Sequence, residues 1–252
     1  MTSLFRSFRD HVDPAVPATE PVPEEPGGFR SRMLRAGIER ALRVQQPLVA
    51  AHIAKIRSKD PDATPAAVIE ALGRRYQLAV AGIGAAGGGV AIVPAIGTVA
   101  SLATATGEAI AALNAAVLYA LAVAEVHRLP VDDLERRRAL VLGIVMGEGG
   151  TALMAKVTGG KDRWARSVTE ALPLKVLGPA NNTLTRWFVK RYVTRQVALA
   201  VGRALPLGAG VLIGGFGNVA VARAVIKAAE RAFGPAPAQW PAGSVPPAAP
   251  GA

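Results

Sequence analysis

Apolar and polar residues recur with the spacing of an amphipathic helix along most of the central chain. Residues 29–56 place Ile38, Leu42 and Ile53 among charged residues, and Pro47 interrupts the pattern. Apolar residues three and four positions apart share one face of an α-helix, whereas a proline breaks a helix interior. The pattern therefore predicts amphipathic helical structure with a break near Pro47.

Further helices are predicted from residues that favour helix N-termini. Thr64 followed by Pro65 is typical of an N-cap residue and a first-turn proline. Two other helices are predicted to begin at Asp132 or Asp133 and at Asn181, Asn182 or Thr183. Stretches with the alternation of a β-strand are short and scattered. The fold class predicted is all-α: a helical bundle with glycine-rich apolar helical hairpins.

Two long segments carry no charge. The first runs from Tyr76 to Gly107 and is followed, after Glu108, by a second apolar stretch; the other runs from Ala204 to Ala222. Both are long enough to cross a membrane. Their many glycines and their prolines weaken the helix and bury little apolar surface. Each segment could therefore form either an independent transmembrane helix or a shallow or re-entrant helical hairpin.

These uncharged segments belong to a chain that is strongly basic overall. Hydrophobic residues make up 51% of the 252-residue chain and the mean hydropathy is +0.30, yet the net charge is +11. The absence of cysteine excludes disulfides, thiolate metal sites and a cysteine nucleophile. Residues 1–28 are rich in proline and acids, and residues 234–252 are rich in proline and uncharged, so both ends are predicted to be disordered. The predicted domain between them, residues 29–233, holds 27 basic and 13 acidic residues.

Basic residues cluster between Lys156 and Arg203, a segment that also contains two tryptophans and a tyrosine. Cations next to aromatic rings suit the headgroup region of an anionic membrane. No nucleic-acid-binding motif accompanies the charge, so a specific nucleic-acid partner is not expected. The predicted partners are an anionic membrane surface and a membrane protein. The residues predicted to make these contacts are Arg136, Arg137 and Arg138, taken as an exposed helical turn, together with Arg186, Trp187, Lys190, Arg191 and Arg195.

Catalytic and cofactor motifs find little support. Residues 82–87 match the G-x-G-x-x-G dinucleotide fingerprint, but further glycines and Pro94 follow where that motif requires an uninterrupted helix. A Rossmann-type oxidoreductase is therefore the least supported of the functional hypotheses. The three histidines are far apart in the sequence, so no metal site is predicted. No cofactor-binding or catalytic residue is predicted either, because no complete motif for one is present. Polar residues within apolar segments are candidates for buried functional groups, because such residues are costly at membrane depth: Glu108, Glu125, Glu148 and Asn218.

Two segments resemble the EcsC family. They are VHRLPVDDLERRRALVL over residues 126–142 and LPLGAGVLIGGFGN over residues 205–218, the latter leading into Ala232-Phe-Gly234. The resemblance covers roughly residues 30–235, by pattern more than by identity. The family is named for a bacterial protein encoded beside an ABC exporter and linked to secretion, and it has no established enzymatic mechanism. The resemblance implies an accessory protein on the cytoplasmic side of the bacterial cell membrane, either peripheral or embedded by its hairpins.

Two other functions stay open at the level of sequence. One is a soluble helical module that binds another protein through its glycine-lined surfaces. The other is an enzyme with a pocket at Glu108, Glu125 or Glu148.

Overall fold

The computed structural model describes residues 28–43, 46–90, 98–160, 162–203, 209–242 and 244, with side chains except at 29, 30, 46, 84–106 and 192–218. These residues form nine α-helices and one π-helical turn, and they contain no β-strand. The all-α prediction is confirmed. The elements are α1 Gly28–Leu42, α2 Gln46–Arg57, α3 Pro65–Val90, α4 Thr98–Val126, α5 Leu134–Val145, α6 Glu148–Val157, α7 Trp164–Arg166, the π-helical turn Ser167–Ala171, α8 Leu174–Arg203 and α9 Ala209–Phe233.

Helix α4 occupies the centre of the bundle. Its C-terminal half, from Leu113 to Val126, is largely buried, and it packs against α1, α2, α3 and α5. Gly107–Val126 is also the one helical stretch among the described residues that is long and apolar enough to cross a membrane, with a mean hydropathy of 1.9. More than half of its apolar window, 56%, is buried inside the protein. The helix therefore serves as the core helix of the bundle.

Helices α3, α4 and α9 form a layer in which α3 runs opposite to the other two. The rings of Tyr76 and Tyr119 stack at 5.1 Å, and the ring of His127 at the end of α4 stacks on that of Phe233 at the end of α9. Ile69, near the start of α3, borders the same cleft as His127 and Phe233. From this common end α3 runs toward Val90, whereas α4 and α9 run back toward their own N-termini.

A second layer, made of α5, α6 and α8, packs against α1, α4 and α9. Asp133 caps α5 by accepting a hydrogen bond from the Arg136 backbone N–H at 2.9 Å, which decides between the two predicted capping residues. The predicted helix start at Asn181, Asn182 or Thr183 is wrong, because these residues lie inside α8. Asn181 is buried and its amide donates to the backbone oxygen and the carboxylate of Glu135, at 2.9 and 2.8 Å. A long-range contact, not a cap, explains this residue.

The predicted helix boundaries in the first third of the chain are confirmed. Pro47 falls in the first turn of α2, where its missing N–H leaves no helical hydrogen bond unmade. Thr64 accepts a hydrogen bond from the Ala67 backbone N–H at 3.3 Å, and α3 begins at Pro65. Both boundaries follow from local backbone chemistry.

The first residues of the predicted C-terminal tail pack against the bundle, so the prediction of disorder from residue 234 needs correction. The Trp240 indole N–H donates to the Ala63 carbonyl at 2.9 Å, and the Arg57 guanidinium lies 4.2 Å from the centre of the Trp240 ring. A partly buried aromatic ring with a hydrogen bond and a cation–π contact can outweigh the extended preference of nearby prolines. Residues 1–27 of the other predicted disordered segment lie outside the described residues.

Helices α5 and α6 approach closely at two glycines. A Cβ on Gly143 would lie 2.7 Å from the Trp164 ring and 2.8 Å from Met154 Cγ. A Cβ on Gly150 would collide with the carbonyl oxygen of Gly143. Only hydrogen fits at these positions, and the collision at Gly150 involves backbone that cannot rotate away.

We expect Gly150→Ala to lower the free energy of unfolding by about 1–3 kcal/mol, the usual cost of overpacking. The matched control is Gly149→Ala in the same helix, where an added Cβ meets no neighbour within 4 Å. That control should be neutral or stabilising by up to about 1 kcal/mol, because alanine has the higher helix propensity. Urea denaturation of both variants measures the difference, and equal stability would contradict the predicted close approach.

Candidate functional site

A cleft of about 670 Å³ lies between α3, α4 and α9. It exists because small residues, Ala66 and Gly73 on α3 and Ala229 on α9, line it where larger side chains would fill the space. Pro235 and Ala236, from the segment that follows α9, complete the wall. Clefts of this size suit small organic ligands when a few polar groups converge on an apolar lining.

Polar side chains enter this cleft from all three helices. Tyr119 and His127 come from α4, Glu230 from α9 and Gln77 from α3. At the exposed rim, Arg74 forms an ion pair with Glu70 one helical turn away. The cleft therefore combines apolar walls with hydroxyl, imidazole, amide and carboxylate groups.

His127 lies at the end of α4 in a largely apolar setting. Its ring stacks on Phe233 with centroids 5.2 Å apart. Burial, and secondarily the charge of Arg166, lower the pKa of His127, so its imidazole is neutral at pH 7. Its Nε2 is buried and has no hydrogen-bond partner among the described residues. A neutral imidazole avoids placing a charge in this poorly solvated position.

Tyr119 holds a neutral hydroxyl group beside an acid. Burial raises the pKa of Tyr119, and the charge of Glu230 and the neighbouring Tyr76 raise it further. The phenol therefore stays protonated and can donate as well as accept a hydrogen bond. Since Tyr119 stacks on Tyr76, its ring orientation is fixed by packing.

The predicted contact residues at the start of α5 do not form an exposed turn. Arg136 donates to the Val168 carbonyl at 2.8 Å, and Arg137 donates to the carbonyls of Val131 and Leu42 at 2.7 and 2.8 Å. All three arginines are half-buried, and only 17% of the Arg138 side chain is exposed.

Arg138 extends this set of internal contacts. It pairs with Glu135 at 2.9 Å and also with Glu39 of α1. The prediction of an exposed turn is wrong because each guanidinium finds acceptors within the protein, and these contacts tie α1, the α4–α5 connection and the π-helical turn together.

The second predicted cluster lies on α8. Arg186, Lys190 and Arg191 are exposed, whereas Trp187 is half-buried and packs against the core. The side chain of Arg195 lies outside the described residues. The exposed cations of this cluster lie on the helix surface, as the sequence predicts, whereas its tryptophan packs inward.

The predicted buried polar residues do not share one site. Glu108 is half-buried on α4, and Glu125 pairs with Arg128 at 3.0 Å with 15% of its side chain exposed. Glu148 is wrong as a buried candidate, because it opens α6 with 87% of its side chain exposed and Arg231 is 3.7 Å away. The side chain of Asn218 lies outside the described residues. None of the three glutamates lines the cleft.

The dinucleotide-binding alternative is wrong. Residues 82–87 lie inside the continuous helix α3, where no strand precedes the glycines. A dinucleotide fingerprint requires a turn from a strand into a helix, because the phosphate binds at that helix N-terminus. Among the described residues there is also no group of three histidine or acidic side chains that could hold a metal ion.

Sequence reasoning missed the residues that line the cleft. Tyr119, Glu230 and Phe233 are ordinary members of helical patterns, and only folding brings them together. His127 carried a weak signal, since it directly follows an apolar helix. The position of Gly73 of α3 opposite Ile226 depends on the packing of α9.

Comparisons with known proteins give no match: the chain matches no family model, no curated protein and no solved structure. The resemblance to the EcsC family stays a prediction.

The lowered pKa of His127 predicts a pH-dependent stability. The imidazole of the unfolded chain has a pKa near about 6.5 and protonates first as the pH falls. The folded state should therefore lose stability as the pH drops below that value toward the lower folded pKa, and His127→Gln should make this loss shallower. NMR titration of the imidazole in the folded protein should give a pKa below 6.5, and a value at or above it would contradict the prediction.

The contacts of Arg137 predict a structural role. Arg137→Ala should lower the free energy of unfolding by about 2–3 kcal/mol, because it removes charge-assisted hydrogen bonds to two backbone carbonyls. Arg186→Ala on exposed α8 is the control and should change it by less than about 0.5 kcal/mol. Chemical denaturation measures both, and equal effects would show that the Arg137 contacts contribute nothing.

Proposed function

We propose that the chain is a membrane-associated accessory protein of the EcsC type, which docks on anionic lipid through the glycine-rich end of its bundle. The observation that carries the proposal is that the charge-free parts of three helices lie toward the same end of the bundle. Since α3 runs opposite to α4 and α9, the charge-free C-terminal part of α3 and the N-terminal parts of α4 and α9 lie toward the same end.

This arrangement brings the charge-free segments of the sequence toward one end of the bundle. Residues 76–107 and 204–222 carry no charged side chain, and they belong to these three helices and their connections. Leu78, in the charge-free part of α3, is 72% exposed. An apolar end of this kind gains free energy by entering the boundary between lipid headgroups and acyl chains.

Exposed cations supply the second contribution to membrane binding. Arg186 and Arg191 are exposed on α8, and Arg32 and Arg35 are exposed on α1, a helix that contacts α8. Each arginine near an anionic surface contributes on the order of 1 kcal/mol. A few such residues can hold a protein whose apolar segments are too weak to insert alone.

The buried C-terminal half of α4 favours a docked protein over one that spans the bilayer by that helix. Extracting Gly107–Val126 into lipid would remove the core against which α1, α2, α3 and α5 pack. The proposal therefore places the protein at the bacterial membrane by the ends of its helices. The cytoplasmic side, a membrane-protein partner and a link to transport or secretion follow from the EcsC resemblance.

Vesicle flotation of the full-length protein tests the proposal. The protein should float with vesicles containing phosphatidylglycerol and float much less with phosphatidylcholine alone, because the cations need anionic lipid. Arg186→Gln/Arg191→Gln should weaken binding by about thirtyfold, from a loss of roughly 1 kcal/mol for each of the two charges. Leu78→Asn should weaken binding to both kinds of vesicle, because it removes exposed apolar surface.

The matched control removes the same charge elsewhere. Lys59 precedes α3, at the opposite end of that helix from its charge-free part, and Lys156 lies at the end of α6; both are exposed. Lys59→Gln/Lys156→Gln should bind vesicles about as well as the unchanged protein. A detergent-free, monodisperse protein that ignores both vesicle types would refute membrane docking and favour the soluble interaction module.

A further inference from the structure

We propose that the cleft between α3, α4 and α9 binds a small organic cation, an amine with an apolar body, through the carboxylate of Glu230. This site is separate from the membrane-docking end and stands whether or not the protein binds lipid. The cleft extends from Gln77 and Tyr119 to Gly234, at the end of the layer where α4 and α9 finish.

The apolar body of the ligand would contact the walls of the cleft. Ile69 of α3, Val123 of α4 and Ile226 of α9 supply aliphatic surface, and Phe233 supplies an aromatic ring. The volume of about 670 Å³ matches a molecule of drug size, and the glycine and alanine positions keep the space open. Burying such a ligand removes apolar surface from water on both partners.

The charge in the cleft selects the sign of the ligand. Two carboxylates, Glu70 and Glu230, line it, but Glu70 pairs with Arg74, which also lines the cleft. Glu230 makes no ion pair within the part of the chain that the structure describes. An unpaired carboxylate in a cleft attracts cations and repels anions by its local field.

Two titratable side chains that share the cleft with Glu230 carry no charge. Tyr119 keeps its proton because its pKa is raised, and His127 is neutral because its pKa is lowered. Neither side chain therefore neutralises the carboxylate, and the Tyr119 oxygen can accept a hydrogen bond from an ammonium group.

Calorimetric titration of the full-length protein with three probes tests the proposal. Phenylbutylamine, phenylbutanol and phenylbutanoate share one apolar body and differ only in whether the polar end is cationic, neutral or anionic. The amine should bind at least about tenfold more tightly than the alcohol, and the carboxylate should bind most weakly. Absence of amine binding at millimolar concentration, or equal affinity for all three probes, would overturn the proposal.

Three variants assign the binding to the cleft. Glu230→Gln removes the charge of an exposed side chain and should weaken amine binding about tenfold while leaving the alcohol unchanged. Ala66→Phe adds bulk at an exposed position of the lining and should weaken all three probes. Asp132→Asn, an exposed acid outside the cleft, is the matched control and should bind the amine normally. Amine binding that survives both cleft variants would place it elsewhere and refute the assignment.

Discussion

The burial of the C-terminal half of α4 is the constraint on which the other helices depend. Residues from Leu113 to Val126 pack against α1, α2, α3 and α5, so these four helices are arranged around the axis of α4. Such all-round apolarity is typical of a core helix as much as of a membrane helix. What distinguishes the two environments is the set of neighbours, and here the neighbours are protein.

Much of the positive charge at the start of α5 serves the fold. Arg137 reaches the last carbonyl of α1, and Arg138 reaches Glu39 on the same helix. Helix C-termini leave carbonyl groups without partners, and a guanidinium satisfies them with two or more donors in fixed geometry. A dense arginine run therefore signals a junction of helix ends as readily as a lipid-binding face, and only the contacts distinguish the two.

Local chemistry made part of this structure predictable. Thr64, Pro47 and Asp133 act through backbone groups a few residues away, so the sequence carries the whole interaction. Asn181 could not be understood that way, because its partner Glu135 belongs to another helix. The cleft escaped prediction for the same reason: Tyr119 and Glu230 meet only after α9 has packed against α3 and α4.

The contact of Trp240 with Ala63 has a consequence for the order of folding. One wall of the cleft is made by Pro235 and Ala236, and the chain beyond them is held in place by Trp240 on the loop before α3. During synthesis the N-terminal helices can collapse early, whereas this contact has to wait until Trp240 has left the ribosome. The cleft thus becomes complete only after α9 and the segment through Trp240 have both been synthesised, so helices α3 and α4 exist for a time without its third wall.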